Sequence, residues 1–354
     1  MNDNSHPLAQ QVLAHYDLGS ARVEPLGTGL INETYLVTTV AGEKYVLQCL
    51  NPAFDPQING DIDTLTRHLQ TRGAVTQRLV PVSEGRQSAQ RLWVELDGRN
   101  WRLSTYVAGV CFDRLDSANQ AEQAGRLLGR FHRQVSSLDL PIQSDRPRVH
   151  DIARHLASLQ LALDECKDHH YYDKIAPLAE QVIHAAAGLP DLRELPDRLV
   201  HGDPKISNLV FDVDHGAGIC MIDLDTLAYM PLPLEMGDAF RSWCNPKGED
   251  ERRAEFRIDF FSAAVRGYAA EASSLLEPRE WQAFVPSART IMVELAARFT
   301  RDALRESYFG WNSRKFPDRS THNQVRALGQ LNLHTSFCQC ADEAEAVVAK
   351  AIAG

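Results

Sequence analysis

The chain has 354 residues, of which 44% are hydrophobic and 24% are charged, and its net charge of −10 comes without any sustained basic run. This balance is typical of a globular protein of about two domains, and it disfavours nucleic acid or an anionic membrane surface as a partner. No apolar run reaches the roughly 20 residues of a spanning helix, and the N-terminus lacks a signal-peptide pattern. We therefore expect no membrane partner, and the seven scattered cysteines indicate a protein of the reducing cytoplasm.

The first part of the chain is predicted to be rich in strands. Its apolar residues alternate with polar ones in short runs that are separated by the turns VAGEK and DGRN. The predicted elements, in chain order, are a short helix at Gln10–Tyr16, two strands between Val23 and Leu50, a helix at Asn59–Gly73, and strands at Arg91–Leu96 and Trp101–Val107.

After Gly109 the apolar residues recur with helical spacing almost throughout. We predict helices around Ala121–Val135, Ile152–Leu163, Glu251–Ala270, Pro278–Ser307 and Asn323–Ala353, with a loop at Trp311–Ser320. The change from strands to helices predicts an α+β protein with two lobes. A small β-rich lobe would span residues 1–105 and a larger helical lobe residues 106–354, with residues 103–109 as the hinge.

Nucleotides favour clefts between two lobes. Backbone groups of the hinge, with Tyr106 at its centre, would then reach the edge of an adenine ring. The glycine turn Gly27-Thr28-Gly29 precedes the first hairpin, and such a turn can lay its backbone N–H groups over phosphates. A plain hairpin turn is the alternative interpretation of these three residues.

The segment Leu199–Thr226 concentrates chemically useful side chains, because it contains the pattern HGD-x4-N followed by IDLD. Two β-forming runs flank the turn-prone DVDHGAG and predict a hairpin centred near His215–Gly216. In that register Asn208 and Asp223 lie opposite one another. Because neighbouring strands are roughly 4.8 Å apart, one cation would contact both side chains.

These residue types fit phosphoryl transfer. An amide oxygen and a carboxylate are hard ligands suited to Mg²⁺, which leaves further positions for water or substrate phosphates. A nearby aspartate, Asp203, can accept the proton of an attacking hydroxyl. A surface hairpin with capping acids is the alternative for any single residue, and the complete set favours the catalytic interpretation.

The motif VHGDPKISNLVFD followed by MIDLDT resembles the catalytic and metal-binding motifs of the aminoglycoside phosphotransferase/choline kinase superfamily. The shorter pieces GLINETYLVTT, KYVLQCLN, GDAFR and ELAARFTRDAL resemble its N-acetylhexosamine 1-kinase branch. The likeness covers both lobes, from about Leu26 to Arg326. It implies a bilobal protein-kinase-like fold, with ATP and Mg²⁺ as cofactors and a small molecule as phosphoryl acceptor.

The resemblance also implies a role for individual residues. Asp203 corresponds to the base that takes the proton from the acceptor hydroxyl, and Asn208 and Asp223 correspond to the Mg²⁺ ligands. His201 resembles the histidine that fixes the loop. Thr226 matches a position beside the bound sugar.

Three further residues, Asp238, Arg241 and Arg298, resemble residues that line the acceptor pocket. Asp238 and Arg241 are equally consistent with an ion pair that holds the catalytic loop. Arg298 and Asp302 are four residues apart on a predicted helix, a spacing that often gives a simple salt bridge. An arginine on an otherwise apolar helix face still needs a polar partner, and a sugar hydroxyl is one candidate.

The chain departs from the superfamily pattern at Gln48, where many members have a phosphate-binding lysine. The N-acetylhexosamine 1-kinase branch shows the same feature. Glutamine can donate a hydrogen bond to a phosphate but carries no charge. Lys44 lies on the same face of the predicted strand and is a possible substitute.

The sequence thus predicts an ATP- and Mg²⁺-dependent kinase that phosphorylates the anomeric hydroxyl of an N-acetylhexosamine. Alternatives in the same class are kinases of choline or ethanolamine, homoserine, or an aminoglycoside. A cationic acceptor requires an acidic or aromatic pocket, whereas the ELAARFTRDAL helix offers arginines beside its acids. A nucleotide-binding pseudokinase is disfavoured by the intact Asp203, Asn208 and Asp223. A two-metal phosphohydrolase is disfavoured because no second His and Asp cluster is present.

Overall fold

A computed structural model describes residues 5–27, 32–52, 54–83, 91–143 and 149–353 of the chain. The alternating runs of the N-terminal part form a five-stranded antiparallel sheet. Its strands are β1 (Ala21–Pro25), β2 (Glu33–Thr39), β3 (Lys44–Cys49), β4 (Val94–Leu96) and β5 (Arg99–Thr105), in the spatial order β1-β2-β3-β5-β4.

One face of this sheet carries the core of the N-terminal part. Helix α1 (Ser5–Leu13) packs its apolar side chains against inward-facing residues of the strands, among them Leu47 and Leu103. Successive side chains of a strand point to opposite faces. Gln48 on β3 and Arg102 on β5 therefore point away from the α1 core. Helix α2 (Ile58–Thr71) contacts that second face through Asn59, whose Oδ1 lies 3.4 Å from Arg102 Nη1.

The chain divides into two compact units. The first comprises residues 1–108 and 138–147, and the second comprises residues 109–137 and 148–354. The sequence-based division placed all of 106–354 in one lobe, whereas residues 138–147 return to the first unit. In this segment the backbone N–H of Gln143 donates to the Asp61 carboxylate of α2 at 3.0 Å.

The second unit is mainly helical. Its first helix starts at a capping box, in which Ser117 accepts from the Gln120 N–H and the Gln120 side chain accepts from the Ser117 N–H. The helices of this unit are α3 (Ala118–Val135), α4 (Ile152–Glu165), α5 (Tyr172–Ala186), α6 (Leu232–Trp243), α7 (Ile258–Ala272), α8 (Pro278–Gln282), α9 (Phe284–Arg305), α10 (Arg319–Cys338) and α11 (Ala341–Ala353).

Two short antiparallel pairs complete the second unit. They are β6 (Asp197–Val200) with β9 (Ala228–Pro231), and β7 (Leu209–Phe211) with β8 (Gly218–Met221). The predicted class, an α+β protein with a small antiparallel sheet and a larger helical part, is confirmed.

Several predicted helix boundaries are wrong. Helix α1 starts and ends earlier than Gln10–Tyr16, and α7 begins at Ile258 rather than Glu251. The residues before α7 bond to α10 instead of forming helical turns: the Arg252 carbonyl accepts from Asn332 Nδ2 at 2.7 Å. The predicted helix over Pro278–Ser307 is interrupted at Ala283, and that over Asn323–Ala353 is interrupted after Cys338. Helices α5 and α6 were not delimited from the sequence.

The seven cysteines are free thiols, of which Cys49, Cys220 and Cys244 are buried. None of the helices in the described ranges combines the length and the apolar character needed to cross a membrane.

Candidate active site

The segment from β6 to β9 forms a loop, a hairpin and a second loop, all within the second unit. The predicted hairpin is present, but its register differs by one residue from the prediction. Leu209 pairs with Met221, and the Ile222 N–H donates to the Asn208 carbonyl at 2.9 Å, so Asn208 lies opposite Ile222 rather than Asp223. The physical reason is the turn, which is centred one residue earlier than predicted because the Asp212 N–H donates to the Ala217 carbonyl at 2.8 Å. A β-bulge next to Val210 and Phe211 then brings the pairing back by one residue toward the predicted register.

Asp223 leaves the hairpin in the left-handed region, with φ 64° and ψ 57°. Aspartate adopts this conformation more readily than most residues, at some cost in backbone energy. Such strained positions cluster at functional sites. The turn redirects the chain directly after β8, so that Asp223 is the first residue beyond the Ile222–Asn208 pair.

Asp203 lies in the loop between β6 and the hairpin, with its side chain 24% exposed. Its Oδ2 is 2.6 Å from Lys205 Nζ and accepts from Asn208 Nδ2 at 3.1 Å. Burial alone raises the pKa of Asp203, but the charge and hydrogen bond of Lys205, with a smaller effect of the Arg241 charge, outweigh burial and hold it below its usual value. Asp203 is therefore a carboxylate at neutral pH, able to accept a proton.

The side chain of Asn208 is oriented by the same aspartate. Its Nδ2 donates to both the Asp203 carbonyl, at 2.9 Å, and the Asp203 carboxylate. The planar amide thus presents its Oδ1 on the other side, and an oxygen is the atom that a hard cation prefers. With the Asp223 carboxylate this gives a donor set of the type that Mg²⁺ takes, and the residues present fit the predicted metal.

Lys205 was not singled out from the sequence, although it lies only two residues after Asp203. Burial lowers the pKa of this ammonium, but the carboxylates of Asp203 and Asp223 reverse the effect and raise it above its usual value. Lys205 is therefore a fixed positive charge near both carboxylates. The sequence feature that could have identified Lys205 is its position inside the HGD-x4-N pattern.

The loop is anchored from inside the helical unit. His201 is fully buried, and its Nε2 donates to the Ile222 carbonyl at 2.9 Å while its Nδ1 accepts from the Asp203 N–H at 3.3 Å. These two hydrogen bonds hold the imidazole between the loop and the hairpin, and the predicted structural role of His201 stays a prediction. Thr226 donates its hydroxyl to the His201 carbonyl at 2.9 Å. The predicted sugar contact of Thr226 stays a prediction, because its side chain serves the loop in this structure.

A chain of buried hydrogen bonds extends from this loop into the helices. The Gly202 N–H donates to Glu235 Oε1 at 2.8 Å, Glu235 Oε2 is 2.6 Å from His132 Nε2, and His132 Nδ1 is 2.9 Å from the Tyr268 hydroxyl. Gly202 has φ +85°, and a Cβ there would lie 2.1 Å from the Thr226 carbonyl oxygen, so only glycine fits. Glu235 thus fixes the residue next to Asp203.

We expect Glu235→Gln to weaken this anchor by about 1.5–3 kcal/mol, the range for a hydrogen bond to a charged group. Burial raises the pKa of Glu235, but the opposite effects of His132, His201 and the Gly202 N–H are larger and hold it below its usual value. The folded state therefore favours the carboxylate. Its contribution to stability is complete above the unfolded-state pKa, about 4.3, and is lost as the pH falls through the lower folded-state pKa.

Urea unfolding at neutral and acid pH measures this effect. The acid loss of unfolding free energy should be smaller in Glu235→Gln than in the wild type. Glu180→Gln, an exposed glutamate of α5, is the matched control and should leave the pH dependence unchanged. An unaltered pH dependence in Glu235→Gln would contradict the anchor.

Asp238 and Arg241, two of the predicted acceptor residues, bind one another. Both lie on α6 and are at least nine-tenths buried, and Asp238 Oδ1 accepts from Arg241 Nε at 3.1 Å and Nη2 at 2.6 Å. Arg241 also donates to Glu249. Burial lowers the pKa of Arg241, but Asp238 and Glu249 outweigh it and keep the guanidinium charged. The structure therefore contains the Asp238–Arg241 ion pair, which was the alternative to a role of these two residues in lining the acceptor pocket.

Arg298 does not form the salt bridge with Asp302 that the sequence spacing left open. Asp302 is fully buried and instead accepts hydrogen bonds from the backbone N–H groups of Tyr308, at 2.9 Å, and Phe309, at 2.8 Å. Within the described ranges Arg298 forms no ion pair, and its guanidinium lies 6.0 Å from the Tyr308 ring centroid and 5.5 Å from that of Phe309.

His150 and Glu294 belong to the same region and were missed from the sequence. His150 Nδ1 is 2.9 Å from Glu294 Oε1, and its buried Nε2 has no hydrogen-bond partner in the described part of the chain. Burial lowers the pKa of His150, but Glu294 and, less strongly, Asp238 raise it above its usual value, while Arg298 opposes them. The two residues are 144 positions apart, so local spacing gives no signal of their contact.

The predicted nucleotide residues lie in the first unit. Gly27 is exposed with φ +73°, as a glycine turn requires, and Thr28 and Gly29 lie outside the described residues. The N–H of Tyr106 donates to the Lys44 carbonyl at 3.3 Å, and Lys44 Nζ lies 5.6 Å from the Tyr106 ring centroid. Lys44 is thus exposed and directed to the hinge segment.

Gln48 is partly exposed on β3, directly opposite the buried Arg102 on β5. Its Oε1 accepts from Arg102 Nε at 2.9 Å and from Nη2 at 2.8 Å. The glutamine that stands in place of a lysine is therefore paired with a guanidinium.

A model of the phosphotransferase enzyme family matches residues 22–272 of the chain. A microcompartment-associated aminopropanol kinase is 18% identical with a TM-score of 0.61, and the match covers 95% of this chain and 98% of that one. An amicoumacin kinase in complex with AMP-PNP, Ca²⁺ and Ami is 15% identical with a TM-score of 0.61, covering 94% and 93%.

A choline kinase from Cryptosporidium parvum Iowa II is 12% identical with a TM-score of 0.59, and this match covers 99% of this chain and 100% of that one. At these identities the likeness shows the fold, and the predicted fold of the small-molecule kinases is confirmed. The narrower resemblance to the N-acetylhexosamine 1-kinase branch stays a prediction.

Proposed function

The chain belongs to the phosphotransferase enzyme family, and we propose that it transfers the γ-phosphoryl group of ATP to a small hydroxyl acceptor, with the anomeric hydroxyl of an N-acetylhexosamine as the leading candidate. The observation that carries this proposal is the bonding between Asp203 and Asn208. One carboxylate holds the amide of the metal ligand and remains partly exposed to receive a proton. Proton acceptor and metal ligand are thus placed together by one hydrogen bond.

In the proposed reaction Asp203 accepts the proton of the acceptor hydroxyl. The acceptor oxygen forms a bond to the γ-phosphorus, the bond from that phosphorus to the β–γ bridging oxygen breaks, and ADP leaves. Lys205, whose positive charge lies near Asp203 and Asp223, favours the ionised state of Asp203 and attracts phosphate oxygens. Most of the rate enhancement in such reactions comes from positioning and from charge stabilisation.

Asn208 and Asp223 would hold Mg²⁺, which neutralises charge on the transferring phosphates when bound. The use of a nucleotide with a divalent cation is supported by the amicoumacin kinase structure, which was solved with AMP-PNP and Ca²⁺. The strained backbone of Asp223 fits the same role, because it directs a carboxylate out of the hairpin immediately after β8.

For the acceptor we propose the region of Arg298 and His150. Arg298 is a partly exposed cation beside two aromatic rings, and His150 has a free Nε2. A guanidinium repels a quaternary ammonium or an amine but donates readily to hydroxyl and acetamido oxygens. These residues support a neutral polyol over choline, although the solved relatives include kinases named for choline and aminopropanol.

We expect Arg298→Ala to raise the acceptor KM by at least about tenfold, the loss of one hydrogen bond from a charged donor, with little change in the KM for ATP. Steady-state kinetics with each substrate varied in turn measures both constants. Arg305→Ala, at the end of the same helix and paired at the surface with Glu165, is the matched control. Equal increases in both KM values would make Arg298 a structural residue.

The function is tested by measuring ADP release from MgATP with N-acetylglucosamine, N-acetylgalactosamine, glucose, choline, homoserine and kanamycin. The proposal predicts turnover on the N-acetylhexosamines. Turnover on choline or kanamycin alone would retain the kinase and replace its acceptor. A chain that binds MgATP but turns over none of the panel would be assigned as a pseudokinase.

A further inference from the structure

The buried charge of Arg102 is the least expected feature of the five-stranded sheet. Arg102 is 1% exposed and faces away from the α1 core, and burying a guanidinium is costly unless its donors are used. Two of its nitrogens donate to the same atom, Oε1 of Gln48, at 2.9 and 2.8 Å. A third, Nη1, lies 3.4 Å from Asn59 Oδ1 on the first turn of α2.

Arg102 thus joins strand β3 to the helix that follows it. In protein kinases this connection is made by a β3 lysine and a helix glutamate, and it must be intact for phosphoryl transfer. Here the strand carries Gln48, the helix carries the fully buried Asn59, and the positive charge comes from the neighbouring strand.

The hydrogen bonds to Gln48 also decide which end of its amide is available. A glutamine amide can present either an oxygen or an NH₂ group, and only the NH₂ group binds a phosphate. Because Arg102 occupies Oε1 with two charge-assisted hydrogen bonds, Nε2 is the end left for other partners. Hydrogen bonds in a chain polarise one another, so a guanidinium on the oxygen strengthens the Nε2 donor.

We propose that Arg102 orients and polarises Gln48 so that Gln48 Nε2 donates to the phosphate oxygens of a bound nucleoside di- or triphosphate. The Gln48–Arg102 pair then replaces a phosphate-binding lysine. Gln48 is the contact and Arg102 is the positioning residue. This inference rests on the proposed function, because it assumes that the first unit binds a nucleotide. Lys44, the other candidate, is exposed and lies over the Tyr106 ring instead.

The test compares calorimetric affinities for MgADP and for adenosine, which lacks phosphates. Arg102→Met keeps an unbranched apolar side chain in place of the aliphatic part of arginine and removes the guanidinium donors. We expect this variant to bind MgADP at least about tenfold more weakly and adenosine within about twofold of the wild type, because only the phosphate contact is lost. Kinetically, the KM for ATP should rise while the acceptor KM stays constant.

A reciprocal exchange separates this role from a structural one. Gln48→Lys alone places an ammonium beside the Arg102 guanidinium, and we expect MgADP binding to fall as in Arg102→Met. The double variant Gln48→Lys/Arg102→Met removes the repulsion and supplies a lysine, and it should recover MgADP affinity to within about threefold of the wild type. Arg102→Lys keeps the charge but lacks the paired donors. Its MgADP affinity should therefore lie between that of Arg102→Met and that of the wild type.

Unchanged MgADP affinity in Arg102→Met would overturn the inference, and so would a parallel loss of adenosine and MgADP binding. If Arg102→Met does not fold, Gln48→Leu decides, since Gln48 is partly exposed: the inference requires the same phosphate-selective loss, and unchanged MgADP binding overturns it. A wild type that binds neither ligand overturns the proposed function, and this assignment with it. If the wild type binds MgADP, a contrary result from the variants overturns only the Gln48–Arg102 assignment and leaves the proposed function standing.

Discussion

Asp203→Asn is expected to lower kcat by roughly 10²–10⁴-fold, the usual contribution of a general base, while MgATP binds within about threefold of the wild-type affinity. Asparagine has nearly the same shape and still accepts a hydrogen bond from Lys205, but it cannot take a proton from the acceptor hydroxyl. The loop keeps its other contacts, because Gly202 and His201 are held by Glu235 and the Ile222 carbonyl. Steady-state kinetics and titration calorimetry with MgATP measure the two quantities.

Asp212→Asn is the matched control for this experiment. Asp212 lies in the turn of the same hairpin, where its Oδ1 accepts from the N–H groups of Asp214, at 2.9 Å, and His215, at 2.7 Å. An asparagine can make the same contacts, so kcat should stay within about twofold. Retention of more than a few per cent of kcat by Asp203→Asn would contradict its assignment as the base.

Asp223→Gly is expected to lower kcat/KM for ATP by at least about 100-fold, because a metal ligand contributes several kcal/mol of charge stabilisation to phosphoryl transfer. Asp223 has φ 64°, a conformation that glycine adopts without strain. Removing the carboxylate also removes its attraction to the Lys205 ammonium, so we expect some loss of unfolding free energy together with the loss of function. A purely structural Asp223 would instead give a loss of stability with activity per folded molecule retained.

Calorimetry of ATP with and without Mg²⁺ checks this assignment directly. The gain in affinity that Mg²⁺ gives the wild type should disappear in Asp223→Gly. Asp223→Asn, which tolerates the left-handed backbone and keeps one oxygen, should retain part of it. An undiminished Mg²⁺ effect in the glycine variant would exclude Asp223 as a ligand.

The fold was predictable from the sequence where local patterns dominate. Alternation identified β2, β3 and β5, and helical spacing identified α2, α3 and α4. The boundaries failed where tertiary contacts decide. Both sides of Ala283 keep helical spacing, so the break between α8 and α9 leaves no periodic signal. The extended residues before α7 depend on α10, more than 70 positions away along the chain.

The site follows the same division. Asp203 and Asn208 were recognisable because they are close in sequence and share one motif. The pairing of Asn208 with Asp223 was predicted one residue out of register, because neither the exact centre of the turn nor the bulge at Ile219 of β8 can be read from residue types alone. Gln48 was recognised as a departure from the lysine pattern. Its partner Arg102, which is 54 positions away, became visible only in the folded sheet.

The ³¹P NMR spectrum of a reaction of the purified chain with MgATP and N-acetylglucosamine tests the central claim most directly. The proposed function predicts the signals of ADP together with a new phosphomonoester signal split by the anomeric proton, both absent without Mg²⁺ and lost in Asp203→Asn. A spectrum with ADP and inorganic phosphate alone would mean hydrolysis rather than transfer. That result, or an equal product yield from Asp203→Asn, would contradict a sugar kinase built on Asp203.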